Sequence, residues 1–258
     1  MALLIFLAVP CSTPANVERA ASVVSRFFPP HGTKAFVARE RIGREAQLGS
    51  SMVYRPGAIG GGGVDAALTY GEYDICLFAS LVDRALCARS DGAAGATFVD
   101  VGSGCGRLVL AASVLWPSLA RCAGVERVPQ LHQLAIEAIG SADGVLGAPC
   151  SFYCGDAATY LGERGELAQA DVLFAYSSTW PSEGELLSDF SATCGTHLRR
   201  GALVVTTDKK LASVPGLWNF RLVDKVEGFN RETGGNSVGF IWEVVQSARV
   251  DSSRRHPC

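Results

Sequence analysis

Three glycines at alternate positions, Gly102, Gly104 and Gly106, separate the run Thr97-Phe98-Val99-Asp100-Val101 from an apolar stretch at Leu108, Leu110, Ala111, Ala112, Val114 and Leu115. β-branched and aromatic residues that end in glycines, followed by apolar residues at helical spacing, predict a buried strand, a tight turn and a helix packed on a sheet. Such a turn brings backbone close to a ligand because no Cβ intervenes. Asp100, Gly102, Ser103, Gly104 and Gly106 are therefore candidate residues of a nucleotide-type cofactor site. The spacing is G-x-G-x-G rather than the G-x-G-x-x-G of the pyrophosphate turn, so a dinucleotide is not the ligand that the pattern describes. Taken alone, the glycines would equally serve a strand-to-helix turn that needs φ > 0.

Two acids extend the pattern. A second strand, Arg121-Cys122-Ala123-Gly124-Val125, ends in Glu126, 24 residues beyond Gly102, which is the βαβ interval for a carboxylate that accepts ribose hydroxyls. The same carboxylate also suits the N-terminus of a helix starting near Pro129. A third strand, Ser151-Phe152-Tyr153-Cys154, leads to Asp156, placed either to meet an adenine amino group or to cap the following helix.

This order of glycine turn and two acids resembles the class I methyltransferases that bind S-adenosylmethionine. Upstream, Tyr70-Gly71-Glu72 stands before a helical run at Ile75, Phe78, Val82 and Leu86 and is similar to a loop of the disruptor-of-telomeric-silencing family, histone lysine methyltransferases without a SET domain. Downstream, Asp171 to Pro181 is similar to that family's fourth strand and catalytic loop, Gly201 to Thr207 to its fifth strand, and Thr233 to Trp242 to its last hairpin. The resemblance covers roughly residues 65–245. It implies S-adenosyl-L-methionine as cofactor, Tyr70, Gly71 and Glu72 over its methionine end, a protein substrate such as a histone or nucleosome, and a nuclear location.

Methyl transfer from a sulfonium requires a neutral nucleophile held about 3–3.5 Å from the methyl carbon, in line with the leaving sulfur. A lysine must first lose its proton, which a desolvating aromatic channel favours. By the resemblance, Tyr176, Ser177, Trp180 and Phe240 are the candidate catalytic residues, with Tyr176, Trp180 and Phe240 as the channel. Phe240 also fits a period-two strand as an ordinary core residue, and Ser177 and Ser178 fit a turn. The loop departs from the family by carrying hydroxyls at Ser177, Ser178 and Thr179 where relatives carry an amide, so a non-histone protein or a small molecule stands as the alternative acceptor. A cofactor-binding module without activity is a third reading.

The positioning elements follow from the pattern. A chain of 258 residues, 48% hydrophobic and 19% charged, supports one α/β domain with a substantial core. Apolar runs alternating with helical stretches predict a Rossmann-like seven-stranded sheet, mostly parallel with helices on both faces, closed by an antiparallel pair at 218–226 and 237–246. Residues 64–248 make the catalytic domain, residues 1–63 an extension ending in the glycine run 60–63, and 249–258 a short tail. The apolar stretch 2–9 is too short to span a bilayer and fits a targeting segment, which would place the protein in an organelle. A formal charge of −2 supplies no general attraction to nucleic acid. The basic cluster Arg26, His31, Lys34, Arg39, Arg41 and Arg44 reads as a solvated face or part of a targeting segment. The nine cysteines are scattered, with no second pair or spaced histidines to complete a metal site beside Cys150 and Cys154.

Overall fold

The computed structural model describes residues 12–51, 68–162 and 164–249. The apolar stretch 2–9, the glycine run 60–63 and the basic residues 254–256 lie outside the described residues. Helices α1 (Pro14–Phe27) and α2 (Lys34–Ser51) come first, then α3 (Ile75–Cys87). The alternation β1 (Thr97–Val101), α4 (Arg107–Leu115), β2 (Arg121–Glu126), α5 (Pro129–Ser141), β3 (Cys150–Cys154), α6 (Ala157–Leu161), β4 (Val172–Ala175), α7 (Ser188–His197) and β5 (Leu203–Thr207) follows. Strands β6 (Asn219–Asn230) and β7 (Gly235–Gln246) close the chain.

The strands form one seven-stranded sheet in the order β3-β2-β1-β4-β5-β7-β6. Strands β1 to β5 pair in parallel, and β7 enters antiparallel between β5 and β6. This is the Rossmann-like sheet and terminal hairpin expected from the alternating pattern. Chain order reverses between β1 and β4, and in open α/β sheets that switch point leaves a crevice at the strands' carboxyl ends. The hairpin strand β6 runs to Asn230, four residues past the apolar run that marked it, because pairing with β7 continues through Glu227, Gly228 and Phe229.

Both sheet faces are covered. On one, Phe78 of α3 is fully buried and meets Phe98, Trp116 and Phe174 edge-on at 5.1 to 5.8 Å between ring centroids. Asp74 starts α3 by accepting from the Leu77 N–H at 2.8 Å, and the Trp116 indole donates to the buried Asp83 at 2.7 Å. Helix α1 lies over α4 and α3 with Ala20, Val23, Val24 and Phe28 buried in the same core. On the other face, Val99, Leu173, Val204 and Val244 pack with Leu161, Cys194 and Leu198. Among the described residues no helix is long and apolar enough to cross a membrane.

Phe78 is the ring where the helical layer meets β1 and β4. Phe78→Ala is expected to lower unfolding free energy by about 3–5 kcal/mol, the cost of removing a buried aromatic side chain. Urea unfolding followed by circular dichroism measures it, and a loss below about 1 kcal/mol would show that the aromatic cluster collapses to fill the space.

Candidate functional site

A cavity of about 450 Å³ opens at the carboxyl ends of β1 to β4. Its floor is the stretch Gly102 to Cys105 of the glycine turn. Gly102, Gly104 and Gly106 all have positive φ, 74°, 54° and 86°, but Gly106 does not line the cavity and packs instead under Phe152, where a Cβ would lie 2.7 Å from Cζ. At Gly104 the need for glycine is double, since a Cβ there would also lie 3.3 Å from Cε2 of Tyr70. The Gly104 N–H donates to Glu126 Oε2 at 2.8 Å, and the Val128 N–H donates to Glu126 Oε1 at 2.7 Å. Glu126 thus joins the turn to the start of α5, performing the helix-terminal role while lining the cavity. Arg127 supplies a third backbone N–H, which leaves the carboxylate one of its four lone pairs. Burial pushes its pKa up, opposed by the N–H donors of Val128 and Gly104.

Asp100, at the end of β1, is 2% exposed and lines the same cavity. Burial first, and then the charge of Glu126, push its pKa up to about 8. Ser103 Oγ is buried with no hydrogen-bond partner. Asp156 caps α6 by accepting from the Ala158 N–H at 2.9 Å, stands 3.6 Å from Arg127 Nε, and is exposed at the cavity rim.

The loop before α3 forms one wall. The Tyr70 hydroxyl donates to Glu72 Oε1 at 2.7 Å, and Arg39 donates to the same oxygen from Nη2 at 2.6 Å and from Nε at 3.0 Å. Glu72 Oε2 accepts no hydrogen bond, and its nearest cation is Arg107 Nε at 3.4 Å, itself buried without an acceptor. The rest of the Arg107 fork is occupied by the Tyr73 carbonyl at 2.6 Å and by Glu232. Both Glu72 and Arg107 line the cavity.

The loop after β4 supplies the opposite wall, and here the sequence-based expectation divides. Tyr176 lies against the Tyr73 ring at 4.9 Å and so close to Gly71 that a Cβ there would meet its Cε1 at 3.1 Å. Trp180 lies over Gly102 and packs edge-on to Phe190 at 5.1 Å. Both face the cavity. Ser177 does not. It is fully buried and laced to Thr207: its Oγ donates to the Thr207 carbonyl at 2.8 Å, its N–H to Thr207 Oγ1 at 2.9 Å, and the Thr207 N–H returns to its Oγ at 3.1 Å. Those bonds join the ends of β4 and β5. Ser178 turns to Asp208. Phe240 is opposite Thr206 in β7, two strands from β4, with the Lys210 ammonium 5.7 Å from its ring, and it does not line the cavity. The aromatic channel expected of Tyr176, Trp180 and Phe240 is therefore not assembled.

The cavity also gathers residues that sequence reasoning did not select. Arg107 follows the glycine turn directly, a position from which a side chain can turn back over it. Tyr73, Leu187, Phe190 and Thr193 carry no local signal, and only the packing of α3 and α7 beside the turn brings them in.

No protein-family model and no curated protein matches the sequence. Solved structures similar to this chain include a putative RNA methyltransferase from Pyrococcus horikoshii, 13% identical over 80% of this chain and 99% of that one, with a TM-score of 0.48. Another is the rRNA methyltransferase aviRa from Streptomyces viridochromogenes, 16% identical over 78% and 90%, with a TM-score of 0.49. A third is the mitomycin 7-O-methyltransferase MmcR, 15% identical over 66% and 56%, with a TM-score of 0.42.

Asp100 gives the site a pH signature. Its folded-state pKa near 8 exceeds the ordinary carboxyl value of 3.8, so the folded protein holds a proton that the unfolded chain releases. Its contribution to stability is complete below pH 3.8 and is lost as pH rises to about 8. In calorimetric melts of the ligand-free protein, Asp100→Asn is expected to reduce the fall in melting temperature between pH 5 and pH 8 relative to wild type. Parallel pH profiles would show that Asp100 ionises normally.

Proposed function

We propose that this protein is an S-adenosylmethionine-dependent methyltransferase. The observation that carries the reading is a set of buried polar atoms without a hydrogen-bond partner, Glu72 Oε2, Arg107 Nε and Ser103 Oγ, on three residues that line one cavity. Buried polar groups are rarely left unpaired, because the desolvation cost is not returned. An acceptor anion beside a donor cation at 3.4 Å complements an amino-acid zwitterion, with ammonium on Glu72 and carboxylate on Arg107. Beyond the turn, Glu126 retains one lone pair for a ribose hydroxyl. Trp180, Pro181, Leu187 and Phe190 on one side and Val128 and Leu131 on the other offer apolar walls for a purine. Amino acid, ribose and purine in that order describe S-adenosylmethionine.

The bound cofactor would supply an electrophilic methyl on a sulfonium. The chain's own part is to fix the two ends and leave the acceptor an approach from the side of Tyr176, whose ring closes on Gly71. No general base is required when the acceptor arrives neutral. A non-histone protein or a small molecule is the acceptor class that the site favours over a histone lysine. The loop Tyr176–Trp180 holds no amide side chain, and Phe240, the third member of a lysine channel, lies outside the cavity.

Titration calorimetry is expected to show binding of both S-adenosylmethionine and S-adenosylhomocysteine. Gly104→Arg should abolish it, because the side chain would enter both the turn and the Tyr70 ring. Glu126→Ala should weaken it by about 1–3 kcal/mol, the range for losing a charged acceptor. Wild-type protein that gives no heat with either compound would sink the reading. Transfer of labelled methyl, run in parallel on nucleosomes, free histones, total lysate and its small-molecule fraction, should label material other than histones. Label confined to histones would restore the lysine acceptor, and label nowhere would favour a binding module.

A further inference from the structure

Helix α2 turns a single face to the loop Thr69–Glu72. Phe36, Arg39, Gly43 and Gln47 recur at intervals of three and four, so they share one stripe of the helix. Each meets that loop. The Phe36 ring lies 6.4 Å from the Tyr70 ring, and Gln47 Nε2 donates to Thr69 Oγ1 at 2.6 Å. Gly43 forms a notch for Tyr70, since a Cβ on it would lie 2.4 Å from the Tyr70 Cβ. Arg39 is 5% exposed and has the most bonds: Nε to the Tyr70 hydroxyl at 3.0 Å, Nε and Nη2 to Glu72 Oε1, and Nη2 to the Pro29 carbonyl at 2.9 Å. Arg39 itself does not line the cavity.

The division of labour on Glu72 follows. Oε1 is spent on Arg39 and Tyr70. Oε2 is buried without a hydrogen bond, 3.4 Å from Arg107 Nε, and both residues belong to the cavity lining. A buried carboxylate that must present a fixed oxygen to a cation needs a second group to orient it, and a planar guanidinium fork does so.

We infer that Arg39 is a positioning residue for the amino-acid half of the cofactor site, and that α2 is therefore a working part of that site. This rests on the S-adenosylmethionine reading of the cavity. Arg39 bonds to Glu72 and Tyr70 and makes no hydrogen bond to Glu126 or to the α5 and α7 walls, so its direct influence is on the end of the cavity that meets the ammonium and carboxylate. The ribose and purine end feels it only at second hand, through the Tyr70 ring against Gly104 and the packing of α2 on α5.

That asymmetry supplies the test. S-Adenosylhomocysteine carries the amino acid, whereas 5′-methylthioadenosine keeps the purine and ribose and lacks it. By titration calorimetry, Arg39→Met should lose about tenfold or more in affinity for S-adenosylhomocysteine, as expected for a charged hydrogen bond, and change less than about twofold for 5′-methylthioadenosine. Arg39→Lys keeps the charge without the fork, and should lose affinity for the same compound only, by a smaller factor; it carries the test if the methionine variant fails to fold. Equal losses for both compounds would mean that Arg39 merely supports the fold, and unchanged affinity for both would mean that Glu72 needs no support. Either outcome overturns the assignment. Wild-type protein that binds neither compound overturns the cofactor reading and this one with it, and is recognised because the failure precedes any substitution.

Discussion

The geometry of the cavity depends on one buried carboxylate. Glu126 ends β2, and its two oxygens take the N–H groups of Gly104 and Val128, so a single side chain sets the glycine turn of β1 and the entry of α5 against each other. The arrangement puts a second acid, Asp100, beside it at the end of the neighbouring strand. Two carboxylates sharing a poorly hydrated space do not both ionise readily, and Asp100 is the one that yields, because Glu126 has the N–H donors and Asp100 has burial against it. Burial pushes both pKa values up, and the N–H donors of Val128 and Gly104 oppose it at Glu126.

The same economy runs through the loop before α3. Glu72 is compensated by Arg39 and Arg107, and Arg107 is compensated in turn by Glu232. Removing one member of such a buried network leaves an uncompensated charge, which costs far more than the pair is worth. The cluster ties α2, the loop before α3, the start of α4 and the turn between β6 and β7 together.

Much of the fold could be read from the chain because βαβ units write themselves locally. Val99, Val101, Leu110 and Val125 alternate between strand and helix periods, and Gly102 to Gly106 mark the turn between them. The positions of Glu126 and Asp156 followed from the same arithmetic, although both also serve as helix-terminal acceptors. What the chain concealed were relations between distant segments. Ser177 looked like a loop hydroxyl on offer, yet Thr207 of β5 consumes it. Phe240 looked like a channel residue, yet insertion of β7 beyond β5 moves it away from the cavity. Arg39 was one basic residue in a cluster of six. Arg41 and Arg44 remain solvated as their charge suggests, and only the helical phase of α2 singles out Arg39 for burial. A charge count cannot find such a residue, because its meaning comes from Glu72 across 33 positions of chain.

The contact between Gly71 and Tyr176 joins the loop before α3 to the loop after β4. With 3.1 Å between the tyrosine ring and the place a Cβ would occupy, neither position is free to drift alone. A side chain at 71 would make the Tyr176 ring give by a few tenths of an ångström. The two positions should therefore tend to change together where this fold diverges, a covariation between two loops far apart in the chain.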